Sequence, residues 1–376
     1  MLTEIHGAMA REVLIHGPIA RSELGRRLGL SPASLTRLTK PLIKRGLFIE
    51  VEDSSTGAVG RPVRPLDVTP GLGSFVGIKI TGDTAFAVLT DARARVIAER
   101  EVAVDDRSPA AVVSILTQII ESLRDVDSAP IVGVGVSLGG VVDDSGLVIR
   151  ARFLGWTDVE LGARLTETSG LPVAVENDVV ALVEAERWFG AGRGRSGFSV
   201  ITIGAGIGYG LVVDGASIHT REAGVGLAGH IPLDPTGPLC PDGHRGCATA
   251  LITMAGMCAQ MQAALGRPIG YAEVLSLARA GHPAASAVVD AAGHALGRLI
   301  ALAANLTMQP TSVLAGEGLG LWDIAESRVR AAAAADRDTL ADPVEILVDE
   351  SGFGAWARGA AAVAIQAAVA RLSGTL

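Results

Sequence analysis

Between Gly25 and Gly46 the chain reads GRRLGLSPASLTRLTKPLIKRG, and this stretch leaves few structural options. Gly29 can end one helix in the left-handed conformation. Ser31 followed by Pro32 can start the next, with a hydroxyl to accept from a free backbone N–H and a residue whose φ is already set. Leu24, Leu28, Leu30, Leu35, Leu38 and Leu42 supply the apolar spacing that packs two short helices at a steep angle. Ser34, Thr36, Arg37 and Lys40 then fall on the outer face of the second helix, with Ser31 at its start. Side chains of these types reach base edges and phosphates, so the pattern predicts a helix-turn-helix whose second helix enters a major groove. A solvated, charged helical hairpin is the other reading of the same residues.

Charge favours the first. Residues 1–46 hold eight Lys/Arg against three Asp/Glu, whereas the whole chain carries a net charge of −8. A small basic head on an acidic body confines nucleic-acid contact to the head. The 376 residues, 49% of them apolar, are enough for two or three domains with large cores. By this reading no apolar run reaches the ~18–20 residues that span a bilayer, and the first residues lack the layout of a secretory leader. Of three cysteines, two lie close together in a Gly- and Pro-rich loop, which suits a reduced compartment and not a disulfide framework. The expectation is a cytoplasmic protein with no membrane partner. Lys40, Lys44 and Lys79 are the only lysines.

Helical periodicity covers residues 2–16 and ends near Gly17-Pro18. Pro41 removes a donor inside the last head helix at a cost of roughly 3 kcal/mol, which predicts a kink or break there. Residues 47–51 read as a strand, a polar loop follows over 52–60, and a strand returns at 66–68. Three helices followed by such a hairpin make a winged helix-turn-helix, with Arg61 and Arg64 at the wing, where arginine can enter a minor groove. A proline-stiffened linker also fits Arg61-Pro62-Val63-Arg64-Pro65. Residues 70–73, Pro-Gly-Leu-Gly, mark a domain boundary. Beyond it, strands at 75–80, 84–89 and 96–104, a helix at 109–124 and a strand at 131–137 are followed by a strand at 173–175 and a helix at 179–189. The layout then recurs: strands at 199–203 and 208–213, helices at 249–265, 271–280 and 284–306, and a strand at 311–315. The predicted fold class is α+β and multi-domain, with a winged helix-turn-helix (1–70) ahead of a two-lobed, actin/hexokinase-like (ribonuclease H-like) α/β body. Its lobes span 71–190, with the C-terminal helix 355–376 packing back on it, and 191–354. In such sheets ligands sit at the carboxyl ends of the strands, here in a cleft between lobes.

Four pieces in order, Glu176-Asn177-Asp178, the glycine run 204–210, Gly229-His230 and the Cys240–Cys247 loop, resemble the ROK family of sugar-responsive repressors and sugar kinases. The resemblance covers essentially the whole chain. It implies that Asn177 and Asp178 contact a sugar, the aspartate serving in the kinases as the base that takes a hydroxyl proton. An Asn-Asp helix cap is the purely structural alternative. The run from Gly204 to Gly210 matches a phosphate loop of the kinases, although as a tight hairpin it needs no nucleotide. Gly316-Glu317-Gly318 matches their adenosine-side turn. His230 and a three-cysteine loop form the family's zinc site; here the set reads His230, Cys240, Asp242 and Cys247, with His244 able to substitute for Asp242. Arg152 and Trp156 match the cleft lining more loosely.

The departures from the family pattern matter as much. Where the kinases have Asp-x-Gly-Gly-Thr, whose aspartate helps hold the metal–phosphate group, this chain has Lys79-Ile80-Thr81-Gly82-Asp83. An ammonium replaces the metal-facing carboxylate, and phosphoryl transfer depends on neutralising developing charge. Two sugar-contacting glutamates of the family are Leu227 and Thr249 here. The resulting expectation is a repressor, not an enzyme. It would bind a double-stranded operator as a homodimer or homotetramer through Ser31, Ser34, Thr36, Arg37, Lys40, Arg61 and Arg64. It would sense a carbohydrate-type effector through Asn177, Asp178, His230 and Arg152, with zinc as its cofactor. An active sugar kinase with a DNA-binding appendage is the rival reading.

Overall fold

The computed structural model describes residues 2–52 and 64–374. The basic head begins with α1 (Leu2–His16), α2 (Arg21–Leu28) and α3 (Pro32–Lys44), which pack on one another. Gly29 ends α2 at φ 62°. The Ser31 hydroxyl accepts the Ser34 N–H at 3.2 Å, and Pro32 opens α3. Met9, Val13, Leu24, Leu35 and Leu42 are fully or almost fully buried. Pro41 does not break α3, which runs through it to Lys44. The proline deprives the Arg37 carbonyl of its usual donor, but Leu38 and Leu42 beside it are buried and hold the last turn on the core. Two short strands follow, β1 (Phe48–Glu50) and β2 (Leu66–Val68), paired antiparallel with Ile49 opposite Asp67. Residues 53–63, and with them Arg61, lie outside the described residues.

The next elements are β3 (Ser74–Ile80), β4 (Thr84–Thr90), β5 (Val96–Ala103), α4 (Pro109–Leu123) and β6 (Ile131–Leu138). A small antiparallel sheet, β7 (Val141–Val142), β8 (Val148–Ala151) and β9 (Trp156–Val159), leads to α5 (Leu161–Ser169), β10 (Val173–Asn177) and α6 (Asp178–Trp188). The main sheet has the order β10-β6-β3-β4-β5. Its β10, β6 and β3 run parallel, so their C-terminal ends share one edge. All seven residues of β3 are buried, as a strand covered on both faces requires.

A second sheet follows, with the order β13-β12-β11-β14-β15. Its elements are β11 (Phe198–Ile203), β12 (Ile207–Val213), β13 (Ala216–Ser217), a 3-10 turn at Leu227–His230, α7 (Ala248–Ile252), α8 (Met254–Leu265), α9 (Tyr271–Arg279), α10 (Pro283–Thr307), β14 (Thr311–Ala315), α11 (Gly320–Ala335) and β15 (Glu345–Val348). The helix expected over 249–265 is two helices. Thr253 adopts an extended conformation between them, and its hydroxyl accepts the Gly256 N–H at 3.0 Å. The chain ends in α12 (Gly352–Gly374).

The chain divides into two compact units, Met1–Ala181 with Trp356–Leu376, and Leu182–Ala355. In the first, α12 lies directly on the main sheet. A Cβ added at Gly77 would stand 2.0 Å from the Ala357 carbonyl oxygen, and one at Gly135 only 1.8 Å from that of Ala360. Two helices, Pro283–Thr307 and Gly352–Arg371, are apolar and long enough to cross a membrane by length and composition alone. They escape a search for unbroken apolar runs because residues such as Asp290, Arg298 and Arg358 interrupt them. In the apolar window of each, 61% and 50% of the residues are buried inside the protein.

Helix backbone against strand backbone leaves no room for a methyl group. Gly135→Ala is expected to destabilise the first unit by about 3 kcal/mol and lower its melting temperature by roughly 10 °C, measured by calorimetry.

Candidate functional site

At the carboxyl edge of the first sheet, β3 contributes Lys79, opposite Ser137 of β6, and β10 contributes Asn177, opposite Leu138. Lys79 is 4% exposed, yet its ammonium does not lack a counter-charge. Its Nζ donates to Asp178 Oδ2 in a short ion pair and sits 4.8 Å from the centre of the Trp356 ring. The other carboxylate oxygen, Asp178 Oδ1, accepts from the Val179 N–H at 2.9 Å and from Asn177 Nδ2 at 3.2 Å. Asn177 is itself tied down. Its Nδ2 donates to the Gly140 carbonyl at 2.9 Å, and its Oδ1 accepts the N–H groups of Val179 and Val180 at the start of α6. The pair therefore caps α6 as well as standing at the strand edge. A carboxylate offers about four lone-pair positions; Lys79, Asn177 and Val179 fill three, which leaves room for one hydroxyl.

Arg152 is exposed in the turn between β8 and β9. Trp156 is buried, and its indole N–H donates to the Arg107 carbonyl at 2.6 Å, so it belongs to the core and does not line a ligand surface. The aromatic ring that does reach solvent is Phe153, 50% exposed. It flanks Gly139 opposite Asp178: a Cβ there would lie 3.3 Å from both the ring and Oδ2. Sequence reasoning passed over Phe153; the Gly139-Gly140 pair closing β6 was the signal that something packs closely there.

In the second unit the glycine run forms the β11–β12 hairpin, and its exposed N–H already has an anion. The Ala205 N–H donates to Glu317 Oε1 at 2.8 Å. Gly204 leaves the space the carboxylate uses, since a Cβ there would stand 2.3 Å from Glu317 Cδ. An internal carboxylate thus satisfies this backbone donor of the glycine run.

The loop after β13 gathers His230, Cys240 and His244, with one donor atom from each within 4.8 Å of the others. Cys240 Sγ lies 3.9 Å from His230 Nδ1 and 3.6 Å from His244 Nδ1, and the two nitrogens are 3.1 Å apart. Tetrahedral zinc with ordinary bond lengths places S···N pairs about 3.6 Å and N···N pairs about 3.3 Å apart, so the donor set fits that ion. Cys247 is fully buried in an apolar cluster with Cys240. Burial pushes the Cys240 thiol up, but hydrogen bonds from the backbone and ring of His244 and the backbone of Asp242 outweigh it and hold the thiol below its usual range. Asp242 Oδ2 sits 3.4 Å from His230 Nε2, on the ring nitrogen away from the cluster. Gly243, at φ 86°, turns the chain so that His244 folds back over Cys240. Of the two positions where the family's glutamates would stand, Leu227 is 57% exposed and Thr249 donates to the Gly229 carbonyl at 2.8 Å.

On α3 of the head, Arg37 and Lys40 are exposed and have no ion-pair partner among the described residues. Thr36 is exposed and donates to the Pro32 carbonyl. Ser31 and the half-buried Ser34 share a hydroxyl hydrogen bond at 3.0 Å. Arg64 is 69% exposed, 3.6 Å from Glu50, whose carboxyl the Arg21 guanidinium holds below the usual range.

The ROK family model matches residues 75–367, and the chain belongs to the ROK family. Among its relatives, the DNA-binding transcriptional repressor Mlc of Escherichia coli is 27% identical over 83% of this chain and 80% of its own length. The xylose repressor of Bacillus subtilis is 24% identical over 72% of this chain and 71% of its own. A crystal structure of a ROK family transcriptional regulator, homologous to the E. coli protein, shares the fold at a TM-score of 0.80 and 22% identity, covering 99% of this chain and 98% of that one.

Removing one partner of a buried ion pair strands the other charge. Lys79→Met alone should therefore cost about 3–5 kcal/mol, whereas Lys79→Met with Asp178→Asn should recover most of that loss. Urea unfolding of the single and paired variants measures the difference.

Proposed function

We propose that this chain is a sugar-responsive, sequence-specific DNA-binding transcriptional repressor whose kinase-like body binds its effector without phosphorylating it. The observation that carries this reading is the ion pair between Lys79 and Asp178. In a kinase of this family the aspartate must be free to take a proton, and a carboxylate nearby must help hold the metal–phosphate group. Here one buried ammonium replaces the second group and occupies the first. Phosphoryl transfer is catalysed by positioning and by positive charge at the phosphates. A carboxylate at the glycine loop, from Glu317, works against both. Hydroxyl recognition survives, because Asp178 keeps one acceptor position; Asn177 and Arg152 complete the effector contacts on this unit.

The head acts as a winged helix-turn-helix. Arg37 and Lys40, with no ion-pair partner among the described residues, read bases and phosphates from α3 together with Ser31, Ser34 and Thr36, and Arg61 and Arg64 approach the minor groove from the wing. Paired heads of a homodimer or homotetramer occupy half-sites related by two-fold symmetry. Zinc would be held by His230, Cys240 and His244, with the neighbouring Cys247 as fourth ligand, and would tie the loop after β13 to the start of α7. Asp242 orients His230 from its far nitrogen, as carboxylates behind metal-bound imidazoles do.

Footprinting on the operator tests the main claim. Arg37→Ala should relax base preference by about 1–3 kcal/mol per contacted base, and the purified protein should release no ADP across a panel of sugars. Sugar-dependent ATP consumption without operator binding would overturn the reading. For the metal, elemental analysis of untagged protein should find zinc that His244→Ala loses, while Asp242→Ala binds it roughly 10–100-fold more weakly.

A further inference from the structure

The same lysine that neutralises Asp178 lies against α12, and contacts run from α12 through the β4–β5 turn to the head, all within the first unit. Lys79 lies on β3 with its ammonium over the Trp356 ring of α12. Two residues on, Arg358 Nε donates to the Ala94 carbonyl at 2.5 Å. Ala94 is fully buried in the β4–β5 turn, at φ 55°. Asp91 Oδ1 holds that turn by accepting the N–H groups of Arg93 and Arg95 at 2.8 and 2.9 Å. Arg93 then reaches into the head. Its Nη1 donates to the Gly17 carbonyl at the end of α1, at 2.7 Å, and its Nη2 pairs with Asp67 of β2. The segment just after α1 and β2 are themselves joined by reciprocal hydrogen bonds between Ile19 and Leu66, at 2.9 and 2.8 Å.

Slack along this line is small. The α12 turn that carries Trp356 and Arg358 rests on β3 at Gly77, where a Cβ would meet the Ala357 oxygen at 2.0 Å and the Ala361 nitrogen at 2.5 Å. At the other end, a Cβ on Gly17 would stand 2.8 Å from Asp67 Oδ1 and 3.1 Å from Arg93 Nη2. Close-packed elements of this kind change position by steps and do not deform gradually.

We propose that Lys79 is a coupling residue: the state of the Asp178 carboxylate sets the position of the α12 turn that carries Trp356 and Arg358, and the Arg358–Ala94–Arg93 contacts pass that position to the head. This deepens the repressor reading and rests on it for its biological purpose. A hydroxyl ligand that takes the remaining acceptor position on Asp178 weakens the carboxylate's hold on the ammonium, and the ammonium is what registers the Trp356 ring. Arg93 and Arg358 are positioning residues in this scheme; neither touches the effector or DNA.

The test needs neither sugar nor operator, so its failure is separate from failure of the repressor reading. Amide hydrogen exchange is followed in the full chain at Arg93, Ala94, Ile19 and Leu66, with Val200 of β11 as the internal control. Replacing the pair by Lys79→Met with Asp178→Asn should speed exchange at Ile19 and Leu66 by about 10-fold, and Arg358→Gln should do the same. The three substitutions together should add little to Arg358→Gln alone, since groups on one line of contact do not act independently. If the paired variant fails to fold, Trp356→Leu, which leaves both charges in place, carries the same expectation. Unchanged exchange at Ile19 and Leu66, or effects of the pair and of Arg358→Gln that simply multiply, would overturn the proposal.

Discussion

An ammonium buried at the end of a parallel strand is an expensive object unless something answers its charge, and in this protein the answer is Asp178. That pairing decides much of what surrounds it. It holds the carboxylate at the head of α6, where the Val179 N–H and Asn177 supply its remaining donors, and it brings the cation against the Trp356 ring of α12. A desolvated ion pair contributes little net stability when compared with a well-packed apolar substitute. Its value is directional: it requires three separate elements, β3, α6 and α12, to meet at one point.

The family resemblance gives that point its chemical meaning. A sugar kinase of this family uses charge at two places, to hold metal and phosphate and to take up a proton. In this chain the Lys79 ammonium meets Asp178 and the Glu317 carboxylate meets the Ala205 N–H of the glycine loop, the comparable places on the proposed repressor reading. Both are single side chains satisfying groups that a substrate complex would otherwise satisfy. A scaffold built to recognise hydroxyls and then transfer a phosphoryl group can in this way keep the first ability and shed the second.

Much of this was legible in the sequence because it depends on local rules. Gly29 and Ser31-Pro32 announce the α2–α3 turn through backbone conformation and capping alone, and the strand edge at Asn177-Asp178 follows from an apolar run ending in polar residues. What escaped depends on partners distant in sequence or on the outcome of a single turn. Lys79 could be recognised as a missing carboxylate, but not as the partner of a residue 99 positions away. His244 enters the metal cluster because Gly243 reverses the chain, which ligand spacing alone left open. Thr253 divides what reads as one apolar helix, since a threonine can sit inside a helix or cap the next. Pro41 reads as a break, and the burial of Leu38 and Leu42 overrides it. The short strands β7 to β9 have too few residues to show a period.

The scarcity of lysine has a consequence of its own. Lys79 is sealed away, while Lys40 and Lys44 are both exposed and both on α3. Lysine-directed acylation of the folded protein, by a laboratory reagent or by an activated metabolic thioester, is therefore concentrated on α3. Each acyl group erases a positive charge there and with it part of the attraction for a polyanion. The chemical history of two side chains would be written directly into the affinity of the head.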